Sequence, residues 1–322
     1  MMRKIFTLIL IFTIFGFARI DYSKRADVRA FVAKVSKKYG YSQSYLLNLF
    51  AKAKHQQKTL LRYQGKYKVG NTDYSWSRYK SKIILDPSSI ALGKKFMRKN
   101  RRWLNLASKK YNVSPEIITA FIRVESKFGM YGNEYSVWDS LVTLAFNHNR
   151  MQKFFRSELE KLLLLAKKQH LDVLKLRGSF AGAMGCVQQV PSIQLRYGVD
   201  LDGDGKANPN SMADCIGSIA NFLHKRGWRD SRPIIVKAKH RGNGFLKLKS
   251  GYRSKYSLAT LKKYGITPDG RFYGDKAYFI RMRFNRGYDL YLGDKNYRII
   301  TRYNASKRYA VTIALYAKLM KR

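Results

Sequence analysis

Ser114-Pro-Glu-Ile-Ile-Thr-Ala-Phe-Ile-Arg-Val-Glu125-Ser-Lys-Phe-Gly129 decides more of the fold than any other stretch of this 322-residue chain. Ser114 stands where a helix N-cap belongs, and Pro115 occupies the first helical position, where its missing N–H costs nothing. Ile117, Ile118, Phe121 and Ile122 then recur at helical spacing, and the next position of that stripe is Glu125. A carboxylate falls where a leucine is expected. Two readings stand: a Glu at the stripe's end that reaches solvent beside Gly129, or an acid desolvated enough to hold and donate a proton near neutrality.

Helical spacing continues on the N-terminal side, at Val28, Phe31, Val32 and Val35 and at Tyr45, Leu46, Leu47 and Phe50. On the C-terminal side, residues 151–171 predict a long amphipathic helix with Phe154, Phe155, Leu159, Leu162, Leu163 and Ala166 as core. After Trp228 the texture changes to short apolar runs at residues 233–238, 277–282 and 288–292, which read as strands. A helix over 257–264 sits among them, and residues 307–321 close the chain as another. The fold class is therefore mainly α (α+β).

The chain carries 64 Lys and Arg against 20 Asp and Glu, a formal charge of +44. Such a balance excludes an acidic solvating protein and demands anionic surroundings, whether nucleic acid, anionic lipid or a wall polymer. The charge is uneven. Residues 1–110 hold 26 basic and 4 acidic side chains, residues 111–228 hold 14 and 11, and residues 229–322 hold 24 and 5. Two basic flanks thus enclose a nearly balanced middle, which sets the middle apart in purpose. Arg3 and Lys4, the uncharged run Ile5 to Phe17, and Gly16 and Ala18 before a cleavage point describe an export signal over 1–18. An uncleaved anchor is the alternative, favoured by Arg19. Export weakens the nucleic-acid reading, and no recognition-module signature supports it. Cys186 and Cys215 either pair after export or stay as two buried thiols.

Gly178-Ser-Phe-Ala-Gly-Ala-Met-Gly185, followed by Gln188, lets a backbone come close to something. Close helix packing is one reading, and a saccharide cleft lined by Ser179 and Gln188 is the other; without a Walker lysine it is no phosphate cradle. Asp200-Leu-Asp202-Gly-Asp204-Gly205 places acidic oxygens at positions 1, 3 and 5 of an EF-hand-like loop with Gly at 6. Position 12 is Ser211 rather than Glu, so Asp214 must close the cage if a metal binds; salt bridges to nearby Lys or Arg are the alternative. The five histidines form no zinc motif.

Ser114-Pro-Glu-Ile-Ile, Val124-Glu-Ser-Lys-Phe-Gly129, Thr143-Leu-Ala-Phe146, Phe154-Phe-Arg-Ser-Glu-Leu159, the Gly178–Gly185 run, the Asp200–Gly205 run, Gly217-Ser-Ile-Ala-Asn221 and Ile300-Thr-Arg-Tyr-Asn304 occur together in one order. In that combination the chain resembles the membrane-bound lytic murein transglycosylase B family over roughly residues 76–322. The resemblance implies a lysozyme-like helical catalytic core over 111–228, a helical N-terminal region over 19–110, a small antiparallel β subdomain over 229–302 and a C-terminal helix over 303–322. It also implies a peptidoglycan lyase that cuts between N-acetylmuramic acid and N-acetylglucosamine and leaves 1,6-anhydro ends.

By the same resemblance Glu125 is the acid and then the base. Ser179 orients the N-acetyl group, Gln188 and Arg150 contact sugar or peptide, and Tyr79, Tyr297 and Tyr303 line the cleft. Asp200, Asp202, Asp204, the Lys206 carbonyl and Asp214 hold a structural calcium. The chain departs from the family pattern at Met151, Gln189 and Phe222, which touches subsite affinity rather than the acid. Expected surroundings are periplasmic glycan strands, with no nucleic acid, a monomeric enzyme and association with wall-synthesis enzymes. Two rivals remain at this stage: a hydrolytic muramidase of the goose-type lysozyme kind, and a wall-binding scaffold without turnover.

Overall fold

A computed structural model describes residues 20–65, 76–284 and 287–321, so the expected signal over 1–18 lies outside the described residues. Contacts divide the chain between His55 and Gln56. Residues 56–110, expected with the N-terminal helices, therefore belong to the larger unit.

The smaller unit contains α1 (Ala26–Tyr39) and α2 (Gln43–Lys52). Val28, Phe31, Val32 and Val35 are buried from α1, and Leu46, Leu49 and Phe50 from α2, whereas Tyr45 is exposed. Gly40 ends α1 in the left-handed region at φ 66°, which only glycine adopts freely. The Tyr22 hydroxyl and His55 Nδ1 lie 2.8 Å apart.

The larger unit opens with α3 (Gln57–Tyr63), α4 (Trp76–Tyr79), α5 (Pro87–Lys99) and α6 (Arg101–Tyr111). The decisive stretch forms α7 (Pro115–Ser126). Ser114 takes the N-cap position with extended backbone, but its side chain makes no cap hydrogen bond; its N–H instead donates to Asp230. The burial of α7 also exceeds a stripe, because Ile117 to Arg123 are all buried. A helix enclosed on nearly every side can satisfy a polar residue only through specific partners. Accordingly, Arg123 Nε donates to Ser89 Oγ at 2.9 Å.

Next come β1 (Tyr135–Ser136), α8 (Val137–Phe146), α9 (Gln152–Gln169), β2 (Arg177–Gly178), α10 (Pro191–Tyr197) and α11 (Met212–Lys225), with β1 and β2 pairing antiparallel. In α9, Phe155, Leu159, Leu162, Leu163 and Ala166 are core as expected, but Phe154 points outward and is 40% exposed. The apolar run 162–165 leaves room for only one of two adjacent phenylalanines on the buried face.

The C-terminal part adds β3 (Ile235–His240), β4 (Lys255–Ser257), α12 (Leu258–Lys263), β5 (Ile266–Pro268), β6 (Lys276–Phe284) and β7 (Gly287–Gly293), then α13 (Lys295–Tyr303) and α14 (Lys307–Met320). The five strands form an antiparallel sheet in the order β4-β6-β7-β3-β5. Period-two alternation serves two cores at once. Ile280, Met282 and Tyr291 join the helical core around α7, while Ala277, Phe279, Leu290 and Leu292 join a small core with Phe245, Leu261 and Ile266. None of the described helices is long and apolar enough to cross a membrane.

Candidate active site

Glu125 lies in the last turn of α7, keeping part of its surface accessible while the surrounding protein strips most of its solvation. Burial pushes its carboxyl up to about 7, against the opposing donation of the Tyr309 hydroxyl to Oε1 at 2.5 Å. The negative end of the helix acts in the same direction as burial. Beyond it, Lys127, Phe128 and Gly129 run consecutively through the left-handed region, at φ 47°, 64° and 85°. Two non-glycine residues held there store backbone strain, a feature concentrated at working sites. Packing and hydrogen bonds hold the turn: Phe128 stacks on Phe96 with centroids 4.6 Å apart, and Gly129 N donates to Ser126 Oγ.

Ser126 Oγ also donates to the Cys186 carbonyl at 2.8 Å, which ties the end of α7 to the loop 178–189. Glycine is required in this loop because Gly185, at φ 59°, presses against the Pro209 carbonyl where a Cβ would sit. Cys186 and Cys215 form a disulfide, with Cα atoms 6.1 Å apart, that fastens the loop to α11. The Val187 carbonyl accepts from the Tyr303 hydroxyl at 2.5 Å. Tyr303 lies with its ring plane nearly parallel to that of Tyr309 at 6.4 Å and packs edge-on against Phe121 and Phe222. Burial and the Glu125 charge raise the hydroxyl pKa values of both tyrosines well above the ordinary phenol value, so both stay protonated as donors.

The other expected contacts divide. Ser179 Oγ accepts from Ala181 N and Ala183 N, which leaves its own proton to donate. Gln188, at φ 48°, donates through Nε2 to the Gly132 and Gly185 carbonyls, both at 2.9 Å, so toward a sugar it offers only Oε1. Tyr79 is half-buried beneath the Arg308 guanidinium and raises the pKa of Tyr309. Arg150 lines a separate recess of about 390 Å³ with Tyr63, Gln64 and His148. Tyr297 corrects the expectation of a cleft tyrosine: it is 0% exposed, its ring against Gly293 and 5.7 Å from Tyr278. As an aromatic in the middle of α13 it fills the sheet–helix junction instead.

Asp200, Asp202, Asp204 and Asp214 each place a carboxylate oxygen within 4.8 Å of the others. Gly203 N and Gly205 N donate to Asp200, folding the loop back on its first residue. Ser211, unsuited to ligate at position 12, caps α11 and donates to Asp202 at 2.9 Å. Asp214 is fully buried and accepts from Leu201 N and Asn208 N, both at 2.8 Å. Burial first, and then the Asp202 and Asp200 charges, push Asp214 up to about 6 despite those donors. Four carboxylates converging, with no ion pair to any of them among the described residues, form the hard oxygen set that calcium takes. The Lys206 carbonyl, the fifth expected ligand, accepts from Asn208 N.

The reading of the sequence missed Tyr309, the direct partner of the acid. It lies 184 positions away, on a helix whose spacing marks it only as core.

Comparison with known proteins finds relatives over nearly the whole chain. The family model described as "Transglycosylase SLT domain" matches residues 23–318. Membrane-bound lytic murein transglycosylase B of Escherichia coli (strain K12) is 33% identical over 300 residues, covering 91% of this chain and 82% of the relative. The Escherichia coli lytic transglycosylase SLT35, solved in complex with calcium, superposes with a TM-score of 0.85 at 32% identity, with 94% of each chain covered. SltB1 from Pseudomonas aeruginosa gives 0.86 at 33% identity, covering 94% of this chain and 99% of the other. A transglycosylase-domain match over residues 23–318 and a scaffold shared over nearly the whole length make this chain a member of the SLT-domain lytic murein transglycosylases.

Proposed function

We propose that Glu125 alone supplies the proton transfers by which this transglycosylase cuts the bond from N-acetylmuramic acid to N-acetylglucosamine in peptidoglycan. The observation that carries this reading is the solitude of the acid: the Tyr309 hydroxyl holds Oε1, and among the described residues no second carboxylate shares a hydrogen bond with Glu125. Most glycosidases that deliver water or form a glycosyl-enzyme use two carboxylates flanking the bond. A single carboxyl suits an internal nucleophile.

Protonated Glu125 gives its proton to the glycosidic oxygen as that bond breaks. As carboxylate it then removes the proton from the muramic acid 6-hydroxyl, whose oxygen attacks the anomeric carbon and closes the 1,6-anhydro ring. The proton returns to Glu125, and no water is consumed. Tyr309 holds Oε1, which leaves Oε2 to carry the proton. Ser179 and the Oε1 of Gln188 orient the N-acetyl group and a sugar hydroxyl, Tyr79 and Tyr303 flank them, and Arg150 meets a more distant part of the strand. Mass analysis of muropeptides released from purified sacculi tests the reading. Anhydro ends, 18 Da below the reducing form, are expected; reducing ends would identify a hydrolase instead.

We further propose that Asp200, Asp202, Asp204, the Lys206 carbonyl and Asp214 hold calcium, a reading supported by the calcium complex of SLT35. The ion's chemistry is to neutralise the converging carboxylates, and it enters no catalytic step. Chelation with EGTA is expected to lower the melting temperature. At free calcium one hundred times its dissociation constant the loss is about 2.7 kcal/mol, and a domain of this size loses roughly 2–4 °C per kcal/mol. An unchanged melting temperature would refute the metal. We also propose that the enzyme acts as a monomer in the periplasm, a location that the basic flanks and the wall substrate support.

A further inference from the structure

A second cavity, of about 630 Å³, opens between the turn at Arg226 and Gly227, the starts of β4 and β6, and one face of α13. Among the described residues, none assigned to the cleft around Glu125 lines it. Seven of its fifteen lining residues are Lys or Arg, nearly one in two, against one in five over the whole chain. Arg232 is committed to Asp294, Nε to Oδ2 at 2.7 Å. Among the described residues the other six, Arg226, Lys255, Lys276, Lys295, Arg298 and Arg302, are in no ion pair, and the other carboxylate in the lining is Asp275. Arg226 spends its guanidinium over the Tyr197 and Phe222 rings, and Lys255 lies over Tyr278.

Three of these cations share one helix face. Lys295, Arg298 and Arg302 recur at i, i+3 and i+7 along α13, a spacing that makes like charges neighbours and costs stability unless an anion lies between them. The N-terminus of α13 does not serve as a phosphate nest, since Asp294 already caps it, accepting from Lys295 N at 2.7 Å. The positive charge is spread over several elements and borne by long side chains, without an amide cradle for one compact anion. Such a surface fits an extended chain with carboxylates at intervals, and Tyr273 and Tyr278 give it apolar support.

We propose that this cavity binds the peptide stem of the glycan substrate through its carboxylates, holding the strand outside the cleft. The proposal rests on the peptidoglycan reading above. α13 joins the two places, because Arg298 and Arg302 line the cavity while Tyr303, one residue on, donates to the cleft loop. The site thus acts on affinity and on choice of strand rather than on bond breaking.

The test is titration calorimetry with a stem tripeptide released from sacculi by an amidase, comparing the wild-type protein with the K295Q/R302Q variant. Both side chains are exposed, so folding is expected to survive, and an unchanged melting curve checks it. The variant should bind the tripeptide at least tenfold more weakly. Its KM for stem-bearing glycan strands should rise by a similar factor with kcat within twofold, and its KM for amidase-stripped strands should not move. Equal tripeptide binding by both proteins, no binding by either, or equal KM shifts on both glycans would overturn the proposal. So would saturable binding of inorganic phosphate that the tripeptide fails to displace. Failure of the transglycosylase reading shows separately, as absence of anhydro ends from either glycan with the wild-type enzyme.

Discussion

Glu125→Gln should lower turnover about a thousandfold or more while making the folded protein more stable above neutral pH. The first effect follows from the proposed role of Glu125 as proton carrier at the scissile bond. The second follows from the sign of the pKa shift. Unfolded, Glu125 titrates near the ordinary carboxyl value of 4.5; folded, burial holds it at about 7. Between those values the native state binds the proton and the unfolded state does not, so this group's contribution to stability falls as pH rises from about 4.5 through 7. Above pH 7 the ionised, desolvated carboxylate costs on the order of 1–3 kcal/mol, which a neutral amide avoids. Urea midpoints of the two proteins should lie close together at pH 4.5 and separate in favour of the variant by pH 8. A variant less stable than wild type at pH 8 would contradict the desolvated acid. Wild-type kcat/KM should fall tenfold per pH unit above about 7 as the acid form is lost, and Tyr309→Phe, by removing a donor to the carboxylate, should move that midpoint upward.

Opening the Cys186–Cys215 disulfide should be the second large effect. The bridge closes a loop 29 residues apart in sequence, for which the chain-entropy relation gives roughly 3–4 kcal/mol. In a domain of this size that corresponds to roughly 10 °C in melting temperature. Activity should fall along with stability, because the bridge holds the loop whose Val187 carbonyl takes the Tyr303 hydroxyl. Scanning calorimetry with and without dithiothreitol, and of a C186A/C215A variant, reads the first effect; release of muropeptides below the melting range reads the second. A melting temperature indifferent to reductant and to the double substitution would mean that the bridge bears no load.

Local signals were legible wherever period and chemistry agreed. The end of α7, the aspartate loop and the three long C-terminal strands follow their residues closely, because each is set by neighbours within a dozen positions. What spacing hides is tertiary. It marks Glu125 as ending a stripe, while α14 and α11 enclose the helix on sides that the stripe leaves undecided. It cannot pair Tyr309 with Glu125, Trp76 with Asp289 or Ser126 with Cys186, since each pair meets only once distant elements pack. Tyr297 shows the opposite failure. Carried over from the family motifs as a cleft residue, it is drawn inward by a helix that needs a large ring against Gly293.

The enclosure of α7 also makes acidity a property of volume. Because burial dominates the pKa of Glu125, the packing around its turn, where Phe128 stacks on Phe96, is expected to set the pH range of the proposed acid. Trimming either ring is expected to let water toward the carboxylate, lower its pKa and shift the rate profile toward acid. The operating range of this wall-cutting chemistry is therefore open to adjustment from packing side chains beyond the groups proposed to bind sugar.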